Sequence, residues 1–242
     1  MNLLRRGLFR AALWGTTILV VVGCSGLPGQ AKQTPNAPPV LKAQAIPDQL
    51  PTIVAPPISS SIPHVTYAFT QGLLFHAGSL YEGTGHTGQS KVRRINPESG
   101  AVEKEIPIDD QHFGEGLAFL DGHFYQLTWT SGVCLVYNEE LEFQRQILYG
   151  TEGWGLATDE SEKLLIFSDG SAEIRFLDPK NFVTQRKFTV TDGNGEPVPR
   201  LNELEWVRGE IWANIWMTDT ICRIAPTNGK VLGWIELSSL VR

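Results

Sequence analysis

The chain has 242 residues, with 20 Lys and Arg against 26 Asp and Glu, a formal net charge of −6. That acidic balance excludes the basic footprint a nucleic-acid partner requires. The length suits one large domain and would also allow two.

The first element in chain order is a targeting segment. Arg5, Arg6 and Arg10 precede an apolar run from Ala11 to Val22, and no acid occurs before Gly23-Cys24. A basic stretch followed by a short apolar one is the pattern of a signal peptide, here residues 1–23. The run is short for a membrane span, which makes an uncleaved anchor the lesser reading. Val21-Val22-Gly23-Cys24 resembles the lipobox of bacterial lipoproteins, where cleavage leaves a lipidated cysteine, here Cys24, as the first residue. The resemblance implies a lipid anchor that holds the protein to a membrane without spanning it. It places the chain in the bacterial cell envelope, facing the periplasm or the exterior. Residues 24–63 are rich in Pro, Gln and Ala with few aromatics, so they read as a semi-extended tether.

From Phe69 onward, short apolar or aromatic runs alternate with Gly, Asn-Pro and Asp-Pro turns, and no stretch has helical periodicity. The domain over 64–242 is therefore all-β. Its strands group in fours: Gln71–Phe75, Ser79–Gly83, Lys91–Ile95 and Val102–Ile108, then Gly116–Leu120, Phe124–Trp129, Val133–Tyr137 and Phe143–Leu148. Gly155–Thr158, Leu164–Ser168, Glu173–Leu177 and Val183–Val190 follow, then Glu203–Val207, Ile211–Trp216, Ile221–Ala225 and Val231–Leu237. Each group opens on a short motif: Gln71-Gly72-Leu73, Glu115-Gly116-Leu117, Trp154-Gly155-Leu156 and Asn202-Glu203-Leu204, spaced 44, 39 and 48 residues apart. The residue ending the second strand lies 14 positions after the motif residue in three units (Gly85, Trp129, Trp216) and 15 in the other (Asp169). Four strands per repeat of this length predict a β-propeller, with the motif residues converging near its axis. A plain β-sandwich with chance likeness between hairpins leaves that second coincidence without a cause.

Cys134 and Cys222 fall in the third strands of units two apart, too distant for a disulfide, and read as buried thiols. The histidines His64, His76, His86, His112 and His123 lack metal-ligand spacing, and no Cys/His cluster suggests zinc. Asp192–Glu196 opens like a calcium loop but has Pro197 where glycine is needed. No metal or cofactor is expected.

Over about 68–237 the chain resembles the non-zinc, plant- and bacterial-type glutaminyl-peptide cyclotransferases. The matching segments are Phe69-Thr-Gln-Gly-Leu-Leu-Phe75, Phe113-Gly-Glu-Gly-Leu117, Tyr125-Gln-Leu-Thr-Trp129, Gly153-Trp-Gly-Leu156, Leu201-Asn-Glu-Leu-Glu205, Trp212-Ala-Asn-Ile-Trp216 and Val231-Leu-Gly-Trp-Ile235. The resemblance implies a five-bladed propeller, of which four repeats are visible here. In the family a fifth unit, carrying a lysine associated with the active site, follows the segment matching Gly233-Trp234-Ile235. Here only Glu236 to Arg242 follow, so the expectation is a propeller incomplete at the C-terminus of this sequence. The activity implied is conversion of N-terminal glutamine, on a peptide or protein, to pyroglutamate with release of ammonia. Gln71, Glu115, Trp129, Trp154, Asn202 and Trp216 match residues that form the family's site.

The residue types suit that reaction. A neutral α-amine must attack its own side-chain amide carbon and lose a proton, while the leaving nitrogen gains one. A single carboxylate between the two nitrogens can do both, and Glu115 is the only acid at a motif position. Indole walls from Trp129, Trp154 and Trp216 would raise its pKa by desolvation and hold a small flat amide. Gln71 and Asn202 would serve the substrate carboxamide and its developing oxyanion. Each residue also has a bland reading: tryptophans in β folds ordinarily pack, and Gln or Asn ordinarily serve turns. Trp206, Trp212 and Trp234, inside strands, are assigned to packing. The competing function is a non-catalytic propeller remnant or binding module, favoured by the missing fifth unit. A metal-dependent sugar-lactone hydrolase would need metal ligands where this axis has tryptophan.

Overall fold

A computed structural model of the chain describes residues 8–14, 17–21, 50–54, 58 and 60–240. Leu8–Trp14 (β1) pairs antiparallel with Thr17–Val21 (β2) and with Ser60–Pro63 (β4). Cys24, with the rest of the lipobox except Val21, lies outside the described residues. Among the described residues, no helix is long and apolar enough to cross a membrane.

From residue 70 the fold is four consecutive antiparallel sheets of four strands. The first blade is Thr70–His76 (β5), Ser79–Thr84 (β6), Lys91–Ile95 (β7) and Val102–Pro107 (β8). The second is Gly114–Leu120 (β9), His123–Thr128 (β10), Val133–Asn138 (β11) and Phe143–Leu148 (β12). The third is Leu156–Asp159 (β13), Leu164–Phe167 (β14), Glu173–Leu177 (β15) and Thr184–Thr189 (β16). The fourth is Leu201–Val207 (β17), Glu210–Ile215 (β18), Thr220–Ile224 (β19) and Val231–Glu236 (β20). The inner strands lie side by side in the order β5, β9, β13, β17, which is the arrangement of a β-propeller.

Strand periodicity explains how the blades stack. Successive side chains point to opposite faces of a sheet, so each strand feeds two interfaces. Val133, Leu135 and Tyr137 of β11 join Tyr81, Val92 and Ile108 in the core between blades one and two. The alternate residues Cys134 and Val136 join Leu165, Phe167 and Leu177 between blades two and three. A third core, with Ile166, Ile174 and Phe176 against Leu204, Ile211 and Cys222, lies between blades three and four. Cys134 and Cys222 are thus buried free thiols in different interfaces. Trp234 is buried in the last of these cores, with Trp206 packed against it, and Trp212 packs on Ile221, Ile235 and Leu237.

The outer strands β8, β12 and β16 are mostly exposed and carry charged residues, which discourages further edge pairing. The fourth blade differs. Thr52–Val54 (β3) pairs in parallel with β20, Pro51 O accepts the Trp234 N–H at 3.0 Å, and Leu50 packs on the core between blades three and four. Residues 50–54 of the segment read as a tether are therefore part of the fold. The physical reason is that β20 offers a free edge and Leu50 an apolar side chain within reach of a core. Farther along, His64 Nε2 meets the fully buried Glu82 at 2.9 Å, and Glu82 is also paired with Thr70 and with Arg93, which faces it on β7.

Candidate active site

Three of the four motif residues sit where strand pairing slips by a residue. In β5 the register with β6 shifts between Thr70 and Gly72, which leaves Gln71 as the extra residue. The same shift falls between Gly114 and Leu117 in β9, and between Leu201 and Leu204 in β17. A β-bulge re-aims a side chain and is common beside functional sites. Just before each bulge the strand pair is closed by an amide of the residue 14 positions after the motif residue. Gly85 donates to Phe69 O at 2.7 Å, Trp129 to Phe113 O at 2.9 Å and Trp216 to Arg200 O at 2.9 Å. In the third blade this bond is replaced by Trp154 N donating to Ser168 O at 3.0 Å.

The glycine of each motif fixes how closely the blades approach. A Cβ on Gly72 would stand 2.3 Å from Leu117 N, one on Gly116 2.6 Å from Leu156 N, and one on Gly155 2.0 Å from Asn202 O. Backbone thus packs on backbone from blade one to blade four, and Gly116 N donates to Trp154 O at 2.8 Å across the second interface. These contacts set the motif residues of neighbouring blades side by side.

Glu115 lies there, 7% exposed, without a hydrogen-bond partner among the described residues. Burial first, and the negative charge of Glu152 second, push its carboxyl up to about 9. Trp154 meets Trp216 edge to face with ring centroids 5.5 Å apart, and Trp129 meets Phe113 likewise at 5.7 Å. Trp129 and Trp216 remain 41% and 49% exposed, so they form a rim that a ligand can touch rather than a filled core. Gln71 and Asn202 are half-buried, and neither side-chain amide has a hydrogen-bond partner among the described residues. The structure therefore sets Trp154 against Trp216 and places Gln71, Glu115 and Asn202 at the equivalent motif positions of the first, second and fourth blades.

The family model described as glutamine cyclotransferase matches residues 33–242. The chain belongs to the glutamine cyclotransferase family. A glutaminyl-peptide cyclotransferase of Arabidopsis thaliana is 39% identical over 188 residues, which cover 76% of this chain and 58% of that protein. The chain thus spans little more than half the length of that relative. The crystal structure of a Myxococcus xanthus glutaminyl cyclase superposes with a TM-score of 0.73 at 38% identity, covering 79% of this chain and 80% of that one.

The site of this cyclotransferase-family chain holds residues that reasoning from sequence missed. Glu152 accepts hydrogen bonds on one carboxylate oxygen from Trp129 Nε1 at 2.9 Å and Trp154 Nε1 at 3.0 Å. It stands two positions before its motif, where the other blades have Phe69, Phe113 and Arg200. That equivalence was the available signal. Glu203 occupies the place of the motif glycine in blade four. Although the residue keeps some exposed surface, both its carboxylate oxygens are sealed and without a hydrogen-bond partner. Burial, then Glu205 and Glu115, push it well above the usual carboxylate range, only partly offset by the nearby Leu73 and Leu156 amides. Burial likewise pushes Glu205 up to about 8. Glu205 lines a cavity of about 370 Å³ reached from the far ends of the inner strands, walled by Leu73, Leu117, Leu156 and Leu204. Among the described residues no group of three or more His, Cys, Asp or Glu side chains could hold a metal ion.

Proposed function

We propose that this chain cyclises N-terminal glutamine of peptides or proteins to pyroglutamate, releasing ammonia. The observation that carries the reading is Glu115, a buried carboxyl at the motif position of a blade next to the one that carries Trp154. The glutamine side chain folds back so that its amide carbon faces its own α-amine, flat between Trp129, Trp154 and Trp216. Such confinement makes the attack effectively unimolecular.

Glu115 and the substrate amine share one proton. As the neutral amine nitrogen bonds to the amide carbon, the carbonyl π pair moves to oxygen, and the Gln71 and Asn202 amides stabilise that developing charge. Glu115 gives its proton to the leaving nitrogen and then takes one from the attacking nitrogen. The carbon–nitrogen bond then breaks, the carbonyl re-forms, and ammonia departs. No outside reactant is consumed, and Glu115 ends in the protonation state in which it began.

The leader supports a further part of the proposal. A lipid on Cys24 would tether the enzyme within the cell envelope, where secreted peptides emerge with free N-termini.

Glu115→Gln keeps the shape of the site but cannot relay the proton. Ammonia release from a glutaminyl dipeptide should fall by about 10²–10⁴-fold in kcat, with KM little changed. A variant that turned over at the parental rate would remove Glu115 from the mechanism.

A further inference from the structure

We propose that Glu152 is the positioning residue of this site: a single carboxylate oxygen holds the Trp129 and Trp154 indoles as two walls of the substrate box. The inference rests on the cyclisation reading for its kinetic consequence, and on geometry alone for the clamp.

The geometry is specific. The two indole N–H groups reach the same oxygen of Glu152 from different blades, at 2.9 and 3.0 Å. An indole offers a single donor, so each ring is turned to face that oxygen. Trp129 follows β10 of the second blade and Trp154 precedes β13 of the third. Each ring is secured on its other side: Trp129 lies against Phe113, and Trp154 lies against Trp216 and over Gly170, where a Cβ would stand 2.6 Å from the indole.

Glu152 itself is exposed, and an exposed carboxylate would ordinarily wander. Its loop prevents this. On one side Tyr149 N donates to Gly132 O at 2.9 Å, and its ring packs on Phe167 and Phe182 while its hydroxyl bonds to Thr128. On the other, Gly153 N donates to Trp129 O at 3.0 Å and Trp154 N to Ser168 O. The segment 149–154 is thus pinned at both ends around Glu152. The third blade lacks the strand-closing bond found in the other three, and the position so released is the one that carries the clamp.

The charge has a second effect. The groups acting electrostatically with Glu115 are Glu152 from the loop before β13, Glu203 from β17 and Tyr149 from the loop after β12. Glu152 is the one of these that raises Glu115 after burial itself. A negative neighbour favours the protonated acid, which is the form able to give its proton to the leaving nitrogen.

Two substitutions separate clamp from charge. Glu152→Gln retains an oxygen that can accept the indole N–H groups but removes the charge; Glu152→Ala removes both. The full chain and both variants are compared by near-ultraviolet circular dichroism of the indoles and by the pH profile of glutaminyl-dipeptide turnover. In Glu152→Ala the indole signal should weaken and kcat/KM fall on the order of tenfold to a hundredfold through KM. In Glu152→Gln the indole signal and KM should stay near the parental values, while the Glu115 limb of the kcat profile moves to lower pH. An Ala variant with the parental indole signal and KM would overturn the clamp. A Gln variant with an unmoved limb would overturn the role of the charge. Were the parent to release no ammonia, the cyclisation reading would fail, and the indole signals of the two variants would still decide the clamp.

Discussion

Glu115 shows what a residue's surroundings do to its chemistry. A carboxyl raised to about 9 in the fold and near 4.5 in the unfolded chain keeps its proton when folded and loses it on unfolding. Its contribution to stability is therefore fully present below about pH 4.5 and declines as pH rises toward 9. While only the unfolded form is ionised, the decline approaches about 1.4 kcal/mol per pH unit for one such group. Glu203 and Glu205, also raised, act in the same direction. Glu105, Glu173 and Glu210 are lowered, so their contributions are complete above the unfolded value and flat across this window. Denaturant unfolding between pH 5 and 8 should thus show stability falling with pH, and more gently in Glu115→Gln. Parallel curves for parent and variant would mean that Glu115 is not held protonated by the fold.

At the scale of the element, the inner strands do two jobs that compete. They must pack backbone to backbone with their neighbours and also turn a side chain toward the ligand. Glycine after the motif residue permits the first, and the bulge achieves the second. Gly155→Ala places a Cβ 2.0 Å from Asn202 O and 2.7 Å from Glu203 Cα, both backbone atoms that no rotamer change can move aside. It should destabilise the domain by about 2–3 kcal/mol, read as a lowered denaturant midpoint with unchanged slope. A cost within experimental error of zero would show that the blades are not seated on this contact. The strands themselves were legible because apolar alternation and turn residues mark them directly. The bulges were not, since nothing in Gln71-Gly72-Leu73 distinguishes a strand that pairs evenly from one that slips by a residue. Glu152 was hidden for a related reason: a polar residue in a loop reads as solvated until the two indoles facing it are placed.

For the whole molecule, the repeat was the strongest signal. Motif spacing and the shared 14-residue interval correspond to inner strands and their closing hydrogen bonds in three of the four blades. That register sets the motif residues at equivalent positions of neighbouring blades and brings Trp154 onto Trp216. The pairing of residues 52–54 with β20 was beyond the sequence, since a Pro-rich stretch names no partner strand. The buried Glu82–Arg93 pair was equally silent, as charged residues on neighbouring strands normally indicate an outward face.

Cyclisation can be followed directly through the two nitrogens of the substrate. A glutaminyl dipeptide carrying heavy nitrogen only in the side-chain amide is incubated with the full chain, and both products are analysed by mass spectrometry. The product should be a dipeptide lighter by one ammonia, with its α-nitrogen kept in the new ring and the entire label in the released ammonia. Label retained in the peptide, or a dipeptide recovered at its original mass, would contradict cyclisation.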